Sequence, residues 1–126
     1  MDMASTTAPA TMTPQTFAFA VYLASSTYRT TDVIHMTVAV LNLTDKAQTL
    51  TFKDGCQGDY TIGSFDMIQH TTCQPGPTYF TVDPHSVKSV PLAHYPSIYM
   101  IPPGTYSLKG TIIGYGSMTA PITITN

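Results

Sequence analysis

Residues 33–43 read VIHMTVAVLNL. On a period of two, Ile34, Met36, Val38 and Val40 share one face and His35, Thr37 and Ala39 the other, the alternation of a strand with one side against a core. The same period runs through the flanking segments. In QTFAFAVYLAS (15–25), Phe17, Phe19, Val21 and Leu23 oppose Ala18, Ala20 and Tyr22, and in AQTLTF (47–52) Leu50 and Phe52 alternate with threonines. NLTDK (42–46) between them reads as a hairpin turn and KDG (53–55) as another.

Further along, DYTIGSF carries Tyr60 and Ile62 inward, followed by the strands TYFTV and VKSVPL with the turn DPHS (83–86) between them. AHYPSIYM (93–100) is broken by Pro96, which suits an edge strand or an irregular connection. IPPGTYSLKGTIIG places Pro103 and Gly104 where a type II turn wants them and feeds a strand with Tyr106, Leu108 and Ile112 in register. The last segment, SMTAPITITN, alternates Met118, Ala120, Ile122 and Ile124 against polar or small residues. Seven to nine short strands at close spacing, with no helical period, predict an all-β chain: an antiparallel immunoglobulin-like β-sandwich, with a small closed barrel as the rival.

Composition points the same way. All seven acidic residues are aspartate, and glutamate is absent, so the residues that normally solvate a helix face are scarce. Threonine supplies roughly one residue in six, as exposed strand faces favour. At 126 residues the chain suits one domain, read as residues 15–126 behind a Thr/Pro/Ala-rich leader over residues 1–14. The leader reads as flexible or extended, and as a linker, a tether or a strand donated to a neighbour.

A net charge of −2 with five scattered cations gives no footprint for nucleic acid. No apolar run reaches the length of a membrane span, and MDMASTTAPATMTPQ has neither the basic nor the apolar region of a signal peptide. That leaves a signal already removed, another export route, or a protein that stays inside.

The two cysteines, Cys56 and Cys73, lie in DGCQGDYTIGSFDMIQHTTCQ. Their spacing is too wide for a zinc pair, and Cys73 is followed by QPGPTYF rather than by the His and Met of a blue-copper loop. A Met/His site for Cu(I) has candidates in Met67, His70, His94 and Met100, with His35 and Met36 behind them. The competing reading makes Met36 a core residue and leaves His35 and His94 half-exposed. No G-x-S-x-G elbow occurs, and the aspartates fall mostly in turns, so a non-enzymatic protein without a cofactor is expected.

For the cysteines this leaves a disulfide closing an excursion that returns beside its start, or two buried free thiols. The bond would imply an oxidising compartment, extracellular, periplasmic or cell-surface. The sequon at Asn42 to Thr44 fits an exposed glycosylation site in such a protein.

The order HMTVAVLNLTDKAQTLTF, GCQGDYTI, TTCQ, SVKSVPL and PPGTYSLKGTI resembles the BsuPI family over roughly Val33 to Thr125. The resemblance implies an immunoglobulin-like β-sandwich and, by the activity for which the family is named, inhibition of a proteinase. The chain departs from the family in having no tryptophan and in carrying DPHS where a Pro-Gly turn is usual. Its cysteine pair is similar to that of exported relatives. Three functions are therefore expected in order: an association module with a protein partner or with itself, including strand donation from the leader; a proteinase inhibitor; and a Met/His copper-handling module. Candidate contact residues lie in two loops, Phe65, Met67, Ile68 and His70 in one and Tyr95 and Tyr99 in the other.

Overall fold

The computed structural model describes residues 15–66 and 73–126. The leader (1–14) and the candidates Met67, Ile68 and His70 lie outside the described residues. Ten strands are described: β1 Phe17–Leu23, β2 Thr27–Arg29, β3 Ile34–Asn42, β4 Gln48–Phe52, β5 Gly58–Ile62, β6 Phe65–Asp66, β7 Thr78–Val82, β8 Val87–His94, β9 Gly104–Ile112 and β10 Gly116–Thr125.

They form a sheet in the order β2-β10-β9-β5-β6, a second in the order β1-β3-β8, and a pair β4-β7. All pairings are antiparallel except that of β2 with β10, which is parallel, so the larger sheet is mixed rather than antiparallel throughout.

The inward faces of the sheets meet in one sandwich-like core. Ile34 and Met36 of β3 pack with Tyr60, Ile62, Leu108, Ile122 and Ile124 of the larger sheet, capped by Ile101. Val38 and Val40 pack with Leu50, Phe52, Phe80, Val82 and Ile112 at the other end. Apart from Ile101, Phe80 and Val82, these are residues the alternation places inside, because a period of two puts every second side chain on the same face. Met118 departs from that pattern. It shares the face of Ile122 and Ile124 but lies 48% exposed.

Three turns differ from their sequence reading. NLTDK is not a hairpin turn, because β3 pairs with β1 and β8 while β4 pairs with β7. The chain changes sheets there, and Asn42 makes the corner. Its Oδ1 accepts the backbone N–H and the hydroxyl of Thr44 at 2.9 and 2.7 Å, and its Nδ2 donates to the carbonyls of Lys46, Val82 and Asp83. Asn42 is 0% exposed, so the exposed sequon is corrected to a buried structural amide.

DPHS has no glycine to supply the positive φ of a Pro-Gly turn, yet the positive φ is present: His85 adopts φ 55° itself, and the Ser86 N–H donates to the Asp83 carbonyl at 3.1 Å. Gly104 has φ 158°, extended rather than the roughly +80° of a type II turn, and opens β9 directly. The Tyr106 hydroxyl instead holds this corner, donating to the Pro102 carbonyl at 2.7 Å.

Candidate functional site: an aromatic loop end

The chain folds back between β5 and β6 at Gly63-Ser64, a two-residue hairpin loop with Gly63 at φ 59°, the conformation a type II′ hairpin requires of its first central residue. This turn delivers Phe65. A Cβ on Gly63 would also stand 2.9 Å from the Tyr106 ring, so the absent side chain makes room for that ring. Phe65 meets Tyr106 edge-on at 5.9 Å between ring centroids and Tyr99 at 5.3 Å, tilted by 40°. Residues 34 positions apart in the chain are thus brought together, and of the two sets of candidate contact residues the described pairing joins Phe65 of one with Tyr99 of the other.

The second loop, residues 95–100, is the irregular connection that Pro96 suggests. The Ile98 N–H donates to the Tyr95 carbonyl at 3.0 Å. Both ends are anchored in the core, by His94 at 1% exposure and Ile101 at 2%. Between the anchors Tyr95, Ile98, Tyr99 and Met100 face solvent, Ile98 at 62% and Met100 at 53%. The stretch from Tyr95 to Pro103 carries no charged residue. An apolar, uncharged projection of this kind suits contact with another macromolecule.

His94 contradicts the half-exposed reading. Its Nε2 lies 2.8 Å from the Tyr99 carbonyl oxygen and its Nδ1 2.8 Å from the Tyr60 hydroxyl. A carbonyl can only accept, so Nε2 carries the proton and Nδ1 accepts from Tyr60. Burial pushes the His94 pKa below its ordinary value, and the Tyr99 carbonyl partly offsets this. With both ring nitrogens engaged, His94 is a brace for the loop and not a metal ligand. Met36 is buried in the core, and His35 lies exposed on the outer face of β3. Sequence reasoning missed the brace, although His94 beside an interrupted strand was its one visible signal.

Cys56 and Cys73 form the expected disulfide, with Cα atoms 5.5 Å apart. Beside it the Gly55 N–H donates to the Gln74 carbonyl at 2.8 Å, and the Thr78 hydroxyl to the Asp54 carbonyl at 2.6 Å. The excursion that carries Phe65 is therefore closed at its base by one covalent and two hydrogen-bonded links. Asp54 lies near the two sulfurs, but its Oδ1 accepts the Cys56 N–H at 2.9 Å, and the sulfurs are bonded to each other. A pocket of about 380 Å³ next to the disulfide is lined by Lys53, Asp54, Asp59 and Thr111. Asp59 accepts the Tyr60 N–H at 2.7 Å, so both carboxylates there hold backbone.

No protein-family model and no curated protein matches the chain. Among solved structures it is similar to a β-glucosidase of Erythrobacter marinus, with TM-score 0.56 and 15% identity over 86% of this chain and 15% of that one. It is similar also to a β-glucosidase of Listeria innocua in complex with isofagomine, with TM-score 0.52 and 10% identity over 87% and 16% of the two chains. A third likeness, to a β-glucosidase involved in saponin metabolism from intestinal bacteria, has TM-score 0.50 and 14% identity over 86% and 16%. The chain spans about a sixth of the length of these enzymes, and at such identities the likeness is one of fold.

Proposed function

We propose that this chain is a secreted or cell-surface immunoglobulin-like module that acts by protein–protein association through its aromatic loop end. Three features support the immunoglobulin-like reading. Grouping β1, β3 and β8 against β5, β9 and β10 matches the A-B-E and C-F-G sets of that fold, and Tyr106 bonding back to Pro102 at the start of β9 matches its tyrosine corner. The BsuPI resemblance agrees with both. The disulfide favours an oxidising compartment, since such bonds are rare where thiol reductants act.

The observation that carries the function is the loop at residues 95–100: pinned at both ends, braced by Phe65, uncharged, and exposing Ile98 and Met100. A pre-ordered loop loses little conformational entropy on binding. The test is titration of fluorescently labelled full chain onto intact cells of the source organism, beside an Ile98→Asp/Tyr99→Ala variant. Saturable binding that the variant lacks is expected; equal binding by both removes the loop end from the reading. Strand donation by residues 1–14 is tested by comparing the full chain with one beginning at Gln15 in light scattering and electron microscopy.

The same anchored loop favours proteinase inhibition as the second reading, because tight inhibitors present rigid loops. Assay against a panel of serine proteases decides it, and no inhibition at micromolar concentration retires it.

A further inference from the structure

Successive residues of a strand direct their backbone N–H and C=O groups to opposite sides, so one hydrogen bond at a strand's end sets the phase of the whole edge. The Asn42 N–H donates to the Ser86 carbonyl and the Leu43 N–H to the Thr16 carbonyl, both at 2.9 Å. Counting by twos, β8 presents residues 87, 89, 91 and 93 to its free side, and β1 presents residues 17, 19, 21 and 23.

Three edges are closed to strand addition by chemistry. On β8 the outward position 91 is proline, which has no N–H to offer. On β10 the Thr123 N–H bonds Ser26 and the Thr125 carbonyl bonds Thr30, so odd-numbered residues face β2, and the first of them beyond that pairing is Pro121. On β4 the Thr51 N–H and carbonyl are both taken by the Tyr115 hydroxyl, at 2.8 and 3.3 Å. β1 carries none of these devices. It is seven residues long, without proline or charge, and among the described residues it pairs only with β3. A long uncharged free edge is a template for another strand.

We propose that β1 pairs antiparallel with β1 of a second copy about a two-fold axis at Ala20, joining two three-stranded sheets into one of six. In this register Phe17 faces Leu23 of the second copy and Phe19 faces its Val21, so all four outward residues of each strand are matched, giving about eight hydrogen bonds. Every other two-fold register of this strand matches fewer. On the outer face Ala20 opposes Ala20, and Tyr22, 61% exposed, lies across from Ala18, large against small. With no charge on the strand, no like charges meet across the seam. The proposal rests on the reading of the chain as an association module, but uses a surface other than the loop end.

Sedimentation equilibrium of the full chain tests it. The wild type is expected to dimerise at micromolar concentration. Ala20→Lys and Ala20→Glu, each placing like charges at the axis, are expected to weaken the dimer at least tenfold, and their equimolar mixture to restore it. That rescue needs folded protein and direct opposition of the two residues. A wild type monomeric at submillimolar concentration, a dimer indifferent to Ala20→Lys, or a mixture that stays monomeric overturns the proposal. A dimer lost only in Ile98→Asp overturns it while keeping association through the loop end. Cell binding by a monomeric wild type likewise spares the association reading alone.

Discussion

His94 sits between two oxygens, and their chemistry decides how the fold responds to acid. Its folded-state pKa lies below the ordinary histidine value of 6.5, chiefly through burial. Above that value the ring is neutral in both folded and unfolded chains, and its contribution to stability is complete. As the pH falls below 6.5 the unfolded chain takes up a proton that the folded one resists, so stability is lost progressively down to the folded-state pKa. Urea midpoints measured across this range should fall with pH in the wild type and fall less steeply in His94→Gln. The same protonation sets Nδ1–H against the Tyr60 hydroxyl proton, so the fluorescence of Tyr99, whose carbonyl Nε2 holds, is expected to change over the same window. In the sequence His94 reads as a half-exposed residue near Pro96 or as a copper-ligand candidate, not as a buried brace. Nothing local shows that Tyr60, 34 residues earlier, points at it.

The elements separate what alternation can read from what it cannot. Strands β1, β3, β4, β5 and β9 turn inward the side chains that a period of two assigns, because one face of each packs in the core; Ala39, on the other face of β3, is buried as well, at 3% exposure. The turns depend on partners beyond the local window. At residues 83–86 the backbone demands a positive φ, and histidine, which tolerates it better than most, supplies it while its Nε2 lies 2.6 Å from Asp45 Oδ1. His85→Val should therefore destabilise by about 1–2 kcal/mol, whereas His85→Asn should be close to neutral, as thermal melts of the two variants would show. Glycines inside the strands also carry information that alternation passes over. A Cβ at Gly110 would stand 2.7 Å from Val38 Cγ2, and one at Gly116 would overlap three ring carbons of Phe19. Both β9 and β10 thus approach the facing sheet at positions where only hydrogen fits. Gly116→Ala is expected to cost about 1–3 kcal/mol by overpacking, read as a lower urea midpoint with an unchanged slope. Phe19→Leu in the same chain should recover part of that loss, because the smaller side chain vacates the space.

At the scale of the molecule, the connection at residues 95–100 was legible as a loop, but the hairpin at Gly63-Ser64, inside a segment that reads as one strand, and the meeting of the two were not. Phe65 reaches Tyr99 because β5 pairs with β9 while β8 pairs with β3, so that the end of β5 and the end of β8 emerge together. That is a fact of topology, which strand periodicity leaves open. The disulfide belongs to this scale too, since it acts on the whole unfolded chain as much as on its neighbours. Joining residues 17 apart removes loop-closure entropy from the unfolded state worth about 3 kcal/mol in the chain-entropy model. The backbone bond from Gly55 to Gln74 and the Thr78 hydroxyl bond to Asp54 hold the same base without covalent help, so the folded arrangement should survive when the sulfurs are removed. A Cys56→Ser/Cys73→Ser chain should therefore keep the far-ultraviolet signature of the sheets and unfold in one step, with stability reduced by about 3 kcal/mol. Reduction of the wild type should move the urea midpoint by the same amount. An unchanged midpoint in both experiments would show that the excursion is closed by its hydrogen bonds alone and that the disulfide contributes nothing to stability.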